Sequence, residues 1–148
     1  MAEVVLTEDC MRLISQFEKL TGAGSRDCVI DDRNNRVIFV INPGEMGLAI
    51  GKSGSSIKKA MEVMGKKIEV VEYSPNPEQF LRNCFLPAKV TAVAMEGEGE
   101  SQVAQIEVRD EDRGLAIGKE GKNIFKAKKL AQRQHNIADV LLMNNQAE

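Results

Sequence analysis

Apolar residues recur at helical spacing from near the start of the chain, where Cys10, Leu13, Ile14, Phe17 and Leu20 fall on one face. Thr7 stands where a cap is needed, Glu8 and Asp9 fill the first turn, and Gly22 ends the run, so an amphipathic opening helix is predicted. The period then shortens. Cys28-Val29-Ile30 predicts a short strand and Asn34-Asn35 a turn. Val37-Ile38-Phe39-Val40-Ile41 is apolar on both faces, which predicts a central strand, ended by Pro43-Gly44. Residues 45–50 predict a short helix leading into a glycine loop at 51–54. Ile57, Ala60, Met61 and Met64 then give one face of a further helix that stops at Gly65, and residues 68–71 predict a closing strand.

The second half follows the same pattern. Asn76-Pro77 is a helix start, with Phe80, Leu81, Cys84 and Phe85 on one face before Pro87. Residues 90–95 predict a strand, 96–101 an exposed turn, and 102–108 an alternating strand with Ala104, Ile106 and Val108 on one side. A short helix over 113–117, a loop over 118–121, a longer helix over 122–134 and a strand over 137–142 complete the chain. Each half therefore reads helix, strand, strand, helix, loop, helix, strand. The wording repeats as well as the pattern: Gly47-Leu48-Ala49-Ile50-Gly51-Lys52-Ser53-Gly54 returns sixty-seven residues later as Gly114-Leu115-Ala116-Ile117-Gly118-Lys119-Glu120-Gly121. Ile57 answers Ile124, Ala60 answers Ala127 and Val63 answers Leu130 without a gap, so two copies of one folded unit are expected, over 1–74 and 75–148.

Composition adds limits. With 43% hydrophobic and 28% charged residues the chain has the make-up of a soluble globular protein. Cys10, Cys28 and Cys84 have no metal-ligand spacing and leave an odd count, which suits buried thiols in a reducing compartment. The acidic N-terminus has no long apolar run, so neither a signal peptide nor a membrane span is expected and the location is cytoplasmic. The net charge of −2 conceals a segregation. Lys52, Lys58, Lys59, Lys66 and Lys67 face only Glu62 in their stretch, and Lys119, Lys122, Lys126, Lys128, Lys129 and Arg133 face only Glu120 in theirs. Two basic patches on an acidic body are compatible with a polyanionic partner, because local field rather than net charge steers one; two solvated helix faces would give the same pattern.

The glycine loops decide between kinds of anion site. A phosphate loop of a nucleotide-binding enzyme needs four residues between its first glycine and Gly-Lys-Ser/Thr, whereas Gly47 and Gly51 enclose three and Glu120 stands where the second copy would need a hydroxyl. Leu48, Ala49 and Ile50 also read as core. A Gly-x-x-Gly turn between two helices suits a single-stranded nucleic-acid backbone instead: Gly51 and Gly54 lack a Cβ, the next helix offers its positive end, and Lys52 adds a cation. His135 lacks an acid and a nucleophile at recognisable spacing and reads as a surface or capping residue. The five phenylalanines fall mostly at core periodicity, which argues against base stacking on exposed aromatics as the main mode.

Ile50-Gly51-Lys52-Ser53-Gly54-Ser55-Ser56-Ile57 and Ile117-Gly118-Lys119-Glu120-Gly121-Lys122-Asn123-Ile124 resemble the KH-domain signature Ile-Gly-x-x-Gly-x-x-Ile, twice over. The leading helix of each repeat resembles the type II, or prokaryotic, variant. The short connection, the run Asn-Cys-Phe-Leu-Pro-Ala-Lys at 83–89 and the Gly-Leu-Ala-Ile-Gly-Lys-x-Gly loops are similar to the paired KH region of the NusA family of transcription factors. Bacterial members carry a polymerase-binding domain and a cold-shock-like barrel ahead of that pair, which 148 residues do not accommodate, so the chain looks like the stand-alone archaeal form.

The resemblance implies an α/β (α+β) fold of two tandem type II KH domains, each a three-stranded sheet with helices on one face. It implies a single-stranded RNA-binding protein of transcription termination or antitermination, with RNA polymerase or a transcription complex as a further partner. It also implies no catalysis, no cofactor, no metal, no membrane and no small-molecule substrate. The implied RNA-binding residues are Gly51, Lys52, Ser53, Gly54, Ser55 and Lys58 in the first copy and Gly118, Lys119, Glu120, Gly121 and Lys122 in the second. Glu120 places an acid beside the phosphate path, so the second loop is expected to bind more weakly. Type II KH domains also occur in a ribosomal small-subunit protein, which leaves ribosome assembly or association as the alternative.

Overall fold

The computed structural model describes residues 4–143, which form two compact units, Val5–Ser74 and Pro75 onward. The first unit opens with α1 (Glu8–Thr21), started and stopped as its sequence dictates. Thr7 Oγ1 accepts the Cys10 N–H at 3.1 Å, and Gly22 closes the helix at φ 86°, a left-handed conformation that glycine adopts without penalty. Strands β1 (Ser25–Asp31) and β2 (Arg36–Ile41) follow as an antiparallel pair joined by one tight turn, with Asn35 at φ 50°. After the short helix α2 (Met46–Ile50) and the longer α3 (Ser55–Met64), strand β3 (Lys67–Glu72) returns parallel to β2. The sheet order is β1-β2-β3, so the strand that reads as apolar on both faces is the central one.

All six residues of β2 are buried. Val37, Phe39 and Ile41 alternate onto the side that packs with Phe17, Ala49 and Ala60, and the rings of Phe17 and Phe39 stack at 4.4 Å. Each such fully buried large side chain contributes about 1.5–3 kcal/mol relative to exposure. Arg36 is buried at the start of β2, where Nε meets Asp31 Oδ2 at 2.7 Å and a terminal nitrogen meets Glu69 Oε2 at 2.9 Å. The sheet thus gains a paired charge that ties all three strands together at one end.

The second unit repeats the plan. Asn76 Oδ1 caps α4 (Pro77–Phe85) by accepting the Gln79 N–H at 3.0 Å, and the buried face is Phe80, Leu81, Cys84 and Phe85. Strands β4 (Val90–Glu96) and β5 (Val103–Val108) are antiparallel; α5 (Arg113–Ile117) and α6 (Lys122–His135) lead to β6 (Asp139–Leu142), parallel to β5. β5 is central, and Ala104, Ile106 and Val108 are its buried positions, as their alternation predicts.

Two strand boundaries differ from the sequence reading by more than one residue. β1 begins at Ser25 rather than at Cys28, because Ser25 pairs with Ile41 across a bulge and the intervening Asp27 is buried with its carboxylate accepting the Cys28 N–H. β6 begins at Asp139 rather than at 137. Asn136 ends α6 at φ 55°, and the Ile137 N–H bonds back to Ala131 O at 3.3 Å, so Ile137 packs in the core without joining the sheet. All three cysteines are buried free thiols.

Candidate nucleic-acid interface

The loop that links α2 to α3 is a single tight turn at Lys52–Gly54, and its counterpart between α5 and α6 lies at Lys119–Gly121. Their backbones coincide. Gly51 has φ 77°, ψ 171° and Gly118 φ 79°, ψ 164°; Ser53 and Glu120 sit at φ 56° and 57°; Gly54 and Gly121 at φ 78° and 75°. A serine and a glutamate thus hold the same left-handed position, so the conformation belongs to the loop rather than to either side chain.

The two glycines of each loop serve different needs. A Cβ on Gly51 would lie 2.4 Å from Ser56 Oγ and 2.7 Å from the Ser56 backbone nitrogen; one on Gly118 would lie 2.7 Å from the Asn123 nitrogen. The first glycine therefore lets the turn close onto the following helix. Gly54 is open: its Cβ would meet only Lys58 Cε, at 3.7 Å, and at Gly121 nothing lies within 4 Å. The sequence reading assigned both glycines to close approach by a partner, but only the second has its bare side turned to free space.

The short helices are pinned in matching ways. Glu45 accepts the N–H of Gly24, just ahead of β1, at 2.6 Å, and Asp112 accepts that of Lys89, just ahead of β4, at 3.3 Å. Asn123 Nδ2 donates to the Leu115 and Ala116 carbonyls at 3.1 and 3.3 Å, tying the end of α5 to the first turn of α6. Each loop is thus a fixed feature.

Around the first loop, Lys52, Ser53, Ser55, Lys58 and Lys59 are exposed, while Gly51 and Gly54 are half-buried. Ser55, Lys58, Lys59, Met61 and Glu62 line a shallow groove along α3. Around the second, Lys119 and Glu120 are exposed and Gly118, Gly121 and Lys122 half-buried. The structure thus gathers the eleven sequence-predicted residues into two clusters, each at one turn and the start of one helix. Lys126 leaves the basic patch that the sequence suggested: it is 5% exposed on the inner side of α6. Its charge acts on Cys84, whose thiol burial pushes up to about 12 against the opposing pull of Lys126.

Leu48 and Ile50 read as core, but only Ala49 between them is buried; Leu48 is 51% exposed and its counterpart Leu115 is 50% exposed. A five-residue helix buries one side only, so each unit presents a leucine on the helix that enters the loop. Phe125 was missed altogether. Phe17, Phe39, Phe80 and Phe85 are fully buried, whereas Phe125 is 48% exposed one turn into α6. The repeat carried the signal, since it aligns Phe125 with Lys58 on an outward face.

This arrangement offers exposed cations, an open backbone at a glycine and adjoining apolar surface, which together complement an anionic chain carrying flat apolar groups. The one histidine packs its ring 5.2 Å from that of Phe80. Among the described residues no group of three or more His, Cys, Asp or Glu side chains is placed to hold a metal ion, and no helix is long and apolar enough to cross a membrane.

Helix, two strands, two helices around a Gly-x-x-Gly turn and a third strand parallel to the second define a KH domain, here present twice. The family comparisons agree: the KH-domain model matches residues 13–96, and that of the NusA-like second KH domain matches residues 77–144. A protein of Halobacterium salinarum named probable transcription termination protein NusA is 41% identical over 93% of this chain and 96% of its own length. The protein of that name from Methanocaldococcus jannaschii is 36% identical over 99% of this chain and 79% of its own. The crystal structure of APE1850 superposes with a TM-score of 0.83 at 36% identity, over 93% of this chain and all of that one. The chain belongs to the NusA family of tandem KH-domain proteins.

Proposed function

We propose that this protein binds single-stranded RNA through the turns at 51–54 and 118–121 and acts in transcription termination or antitermination. The observation that carries the reading is the pair of matching Gly-x-x-Gly turns, each followed by a helix N-terminus and each carrying an exposed lysine, Lys52 or Lys119. Gly51, Lys52, Ser53, Gly54, Ser55 and Lys58 hold one stretch of backbone, and Gly118, Lys119, Glu120, Gly121 and Lys122 a second. The open faces of Gly54 and Gly121 admit the sugar-phosphate chain, while lysines neutralise phosphates in proportion to the number contacted. The two domains, 1–74 and 75–148, contribute one loop each. The protein works in the cytoplasm as a non-enzymatic factor without cofactor or metal, and its further partner is RNA polymerase or a transcription complex.

The transcription role follows from relatives that are named for termination and match along nearly their whole length. Adding the purified chain to the cognate polymerase on a template with a terminator tests it directly. The expected result is a dose-dependent change in read-through that the parent produces and a loop variant does not. Unchanged read-through, with the protein sedimenting on small ribosomal particles, would transfer the assignment to ribosome assembly.

A further inference from the structure

The two loops share a backbone but not a neighbourhood. One turn into the helix after each loop, the first domain has Lys58 and the second Phe125. The inner face of α6 carries Lys126, Ala127, Leu130, Ala131 and Gln134, all buried. At 100° per residue, Phe125 falls on the opposite, outward side, and Lys122, Lys128 and Lys129 are its neighbours three and four positions away. Because helical side chains lean toward the N-terminus, the ring tilts toward the turn that carries Gly121, while the space where a Cβ on that glycine would stand remains open to 4 Å.

A lone exposed phenylalanine is common on protein surfaces and means little. This one has lysines three and four positions away, of which Lys128 also pairs with Asp139 at 3.4 Å, follows an open glycine by four positions, and stands where the other domain places a cation. An aromatic face with lysines at helical spacing around it fits a nucleotide, which offers a flat apolar base and an anionic edge.

We propose that the second domain stacks an unpaired RNA base on Phe125, with Lys119 and Lys122 on the adjoining phosphates, whereas the first domain uses Lys58 as a phosphate contact. This rests on the RNA-binding reading above. The domains then divide the work. The first supplies mainly salt-sensitive attraction, and the second offsets the acid at Glu120 with a salt-insensitive stacking contact.

The intact chain contains no tryptophan, so Phe125→Trp creates a single reporter at the site. The probe is a fluorescein-labelled single-stranded RNA of mixed sequence, titrated by anisotropy at several salt concentrations. Phe125→Ala is expected to weaken binding roughly 5- to 100-fold with an unchanged salt slope. Lys58→Ala is expected to make the slope shallower by about 0.7. Phe125→Trp is expected to bind like the parent, and with unlabelled RNA its indole emission is quenched. If the parent binds RNA while Phe125→Ala binds equally well and the indole is not quenched, the stacking role is wrong and the patch serves a protein partner. If the parent does not bind single-stranded RNA, the RNA-binding reading itself falls, and this inference with it.

Discussion

Gly51→Ala and Gly54→Ala make the same chemical change three residues apart, yet the loop geometry separates them. At Gly54, φ 78° and ψ 15° lie in the left-handed region, where an L side chain costs about 1–2 kcal/mol, and the new methyl group meets only a flexible lysine carbon at 3.7 Å. At Gly51, φ 77° and ψ 171° lie in a region open essentially to glycine alone, worth about 1–3 kcal/mol of strain. There the Cβ also lies 2.7 Å from the backbone nitrogen of Ser56, which cannot swing aside, and such overpacking adds about 1–3 kcal/mol. The expected losses are therefore about 2–6 kcal/mol at Gly51 and about 1–2 at Gly54. For a chain of this length 1 kcal/mol shifts the melting point by about 2–4 °C, so a gap of about 2.5 kcal/mol between the midpoints puts Gly51→Ala roughly 5–10 °C below Gly54→Ala. Thermal melts followed by circular dichroism measure the gap, and Gly118→Ala against Gly121→Ala repeats the test. If Gly54→Ala melts at or below Gly51→Ala, the division of labour between the glycines is refuted.

Two further outcomes follow from buried groups. Burial raises the Asp31 carboxyl, but hydrogen bonds from Asn34 and Arg36 and the Arg36 charge outweigh it and hold the group below its usual value. Its contribution is therefore complete above the unfolded pKa near 3.9 and is lost as pH falls through the lower folded value. Melting points from pH 7 to 2 should accordingly fall less steeply at the acid end for Asp31→Asn than for the parent, and a parallel fall would contradict the pairing. Cys84 is fully buried with its thiol pushed up to about 12, so at pH 8 it should resist a thiol reagent in the folded protein and react once urea unfolds it. Mass spectrometry of the modified peptides reads this out, and labelling of Cys84 at the rate of a free thiol would contradict it.

Periodicity and the repeat made most of the fold legible. The helix caps at Thr7 and Asn76, the terminating Gly22 and Gly65, and the all-buried β2 are local signals that tertiary structure reinforces. Polar residues hid the start of β1, since Asp27 is buried by folding its carboxylate onto its own strand, which no hydrophobic pattern reveals. Leu48 and Ile50 look like core by composition, and only the brevity of α2 leaves them outside. Lys126 shows the converse: a lysine in a basic run whose helical phase turns it inward. The loops were legible as matching turns because glycine spacing encodes backbone shape. The chemistry around them depends on which side of α3 and α6 faces outward, and that is how Phe125 escaped notice.

Whether the first Gly-x-x-Gly turn acts as an RNA clamp is tested most directly by Lys52→Asp with Ser53→Asp. Both side chains are exposed, so the fold should be retained, and circular dichroism establishes this first. The change moves three units of charge toward negative, each worth about 1 kcal/mol at 4 Å from a phosphate in water, so affinity for a labelled single-stranded RNA should fall by on the order of 100-fold. Lys119→Asp in the second loop, which already carries Glu120, should cost less. A folded Lys52→Asp, Ser53→Asp protein that binds the RNA as tightly as the parent would contradict the central claim.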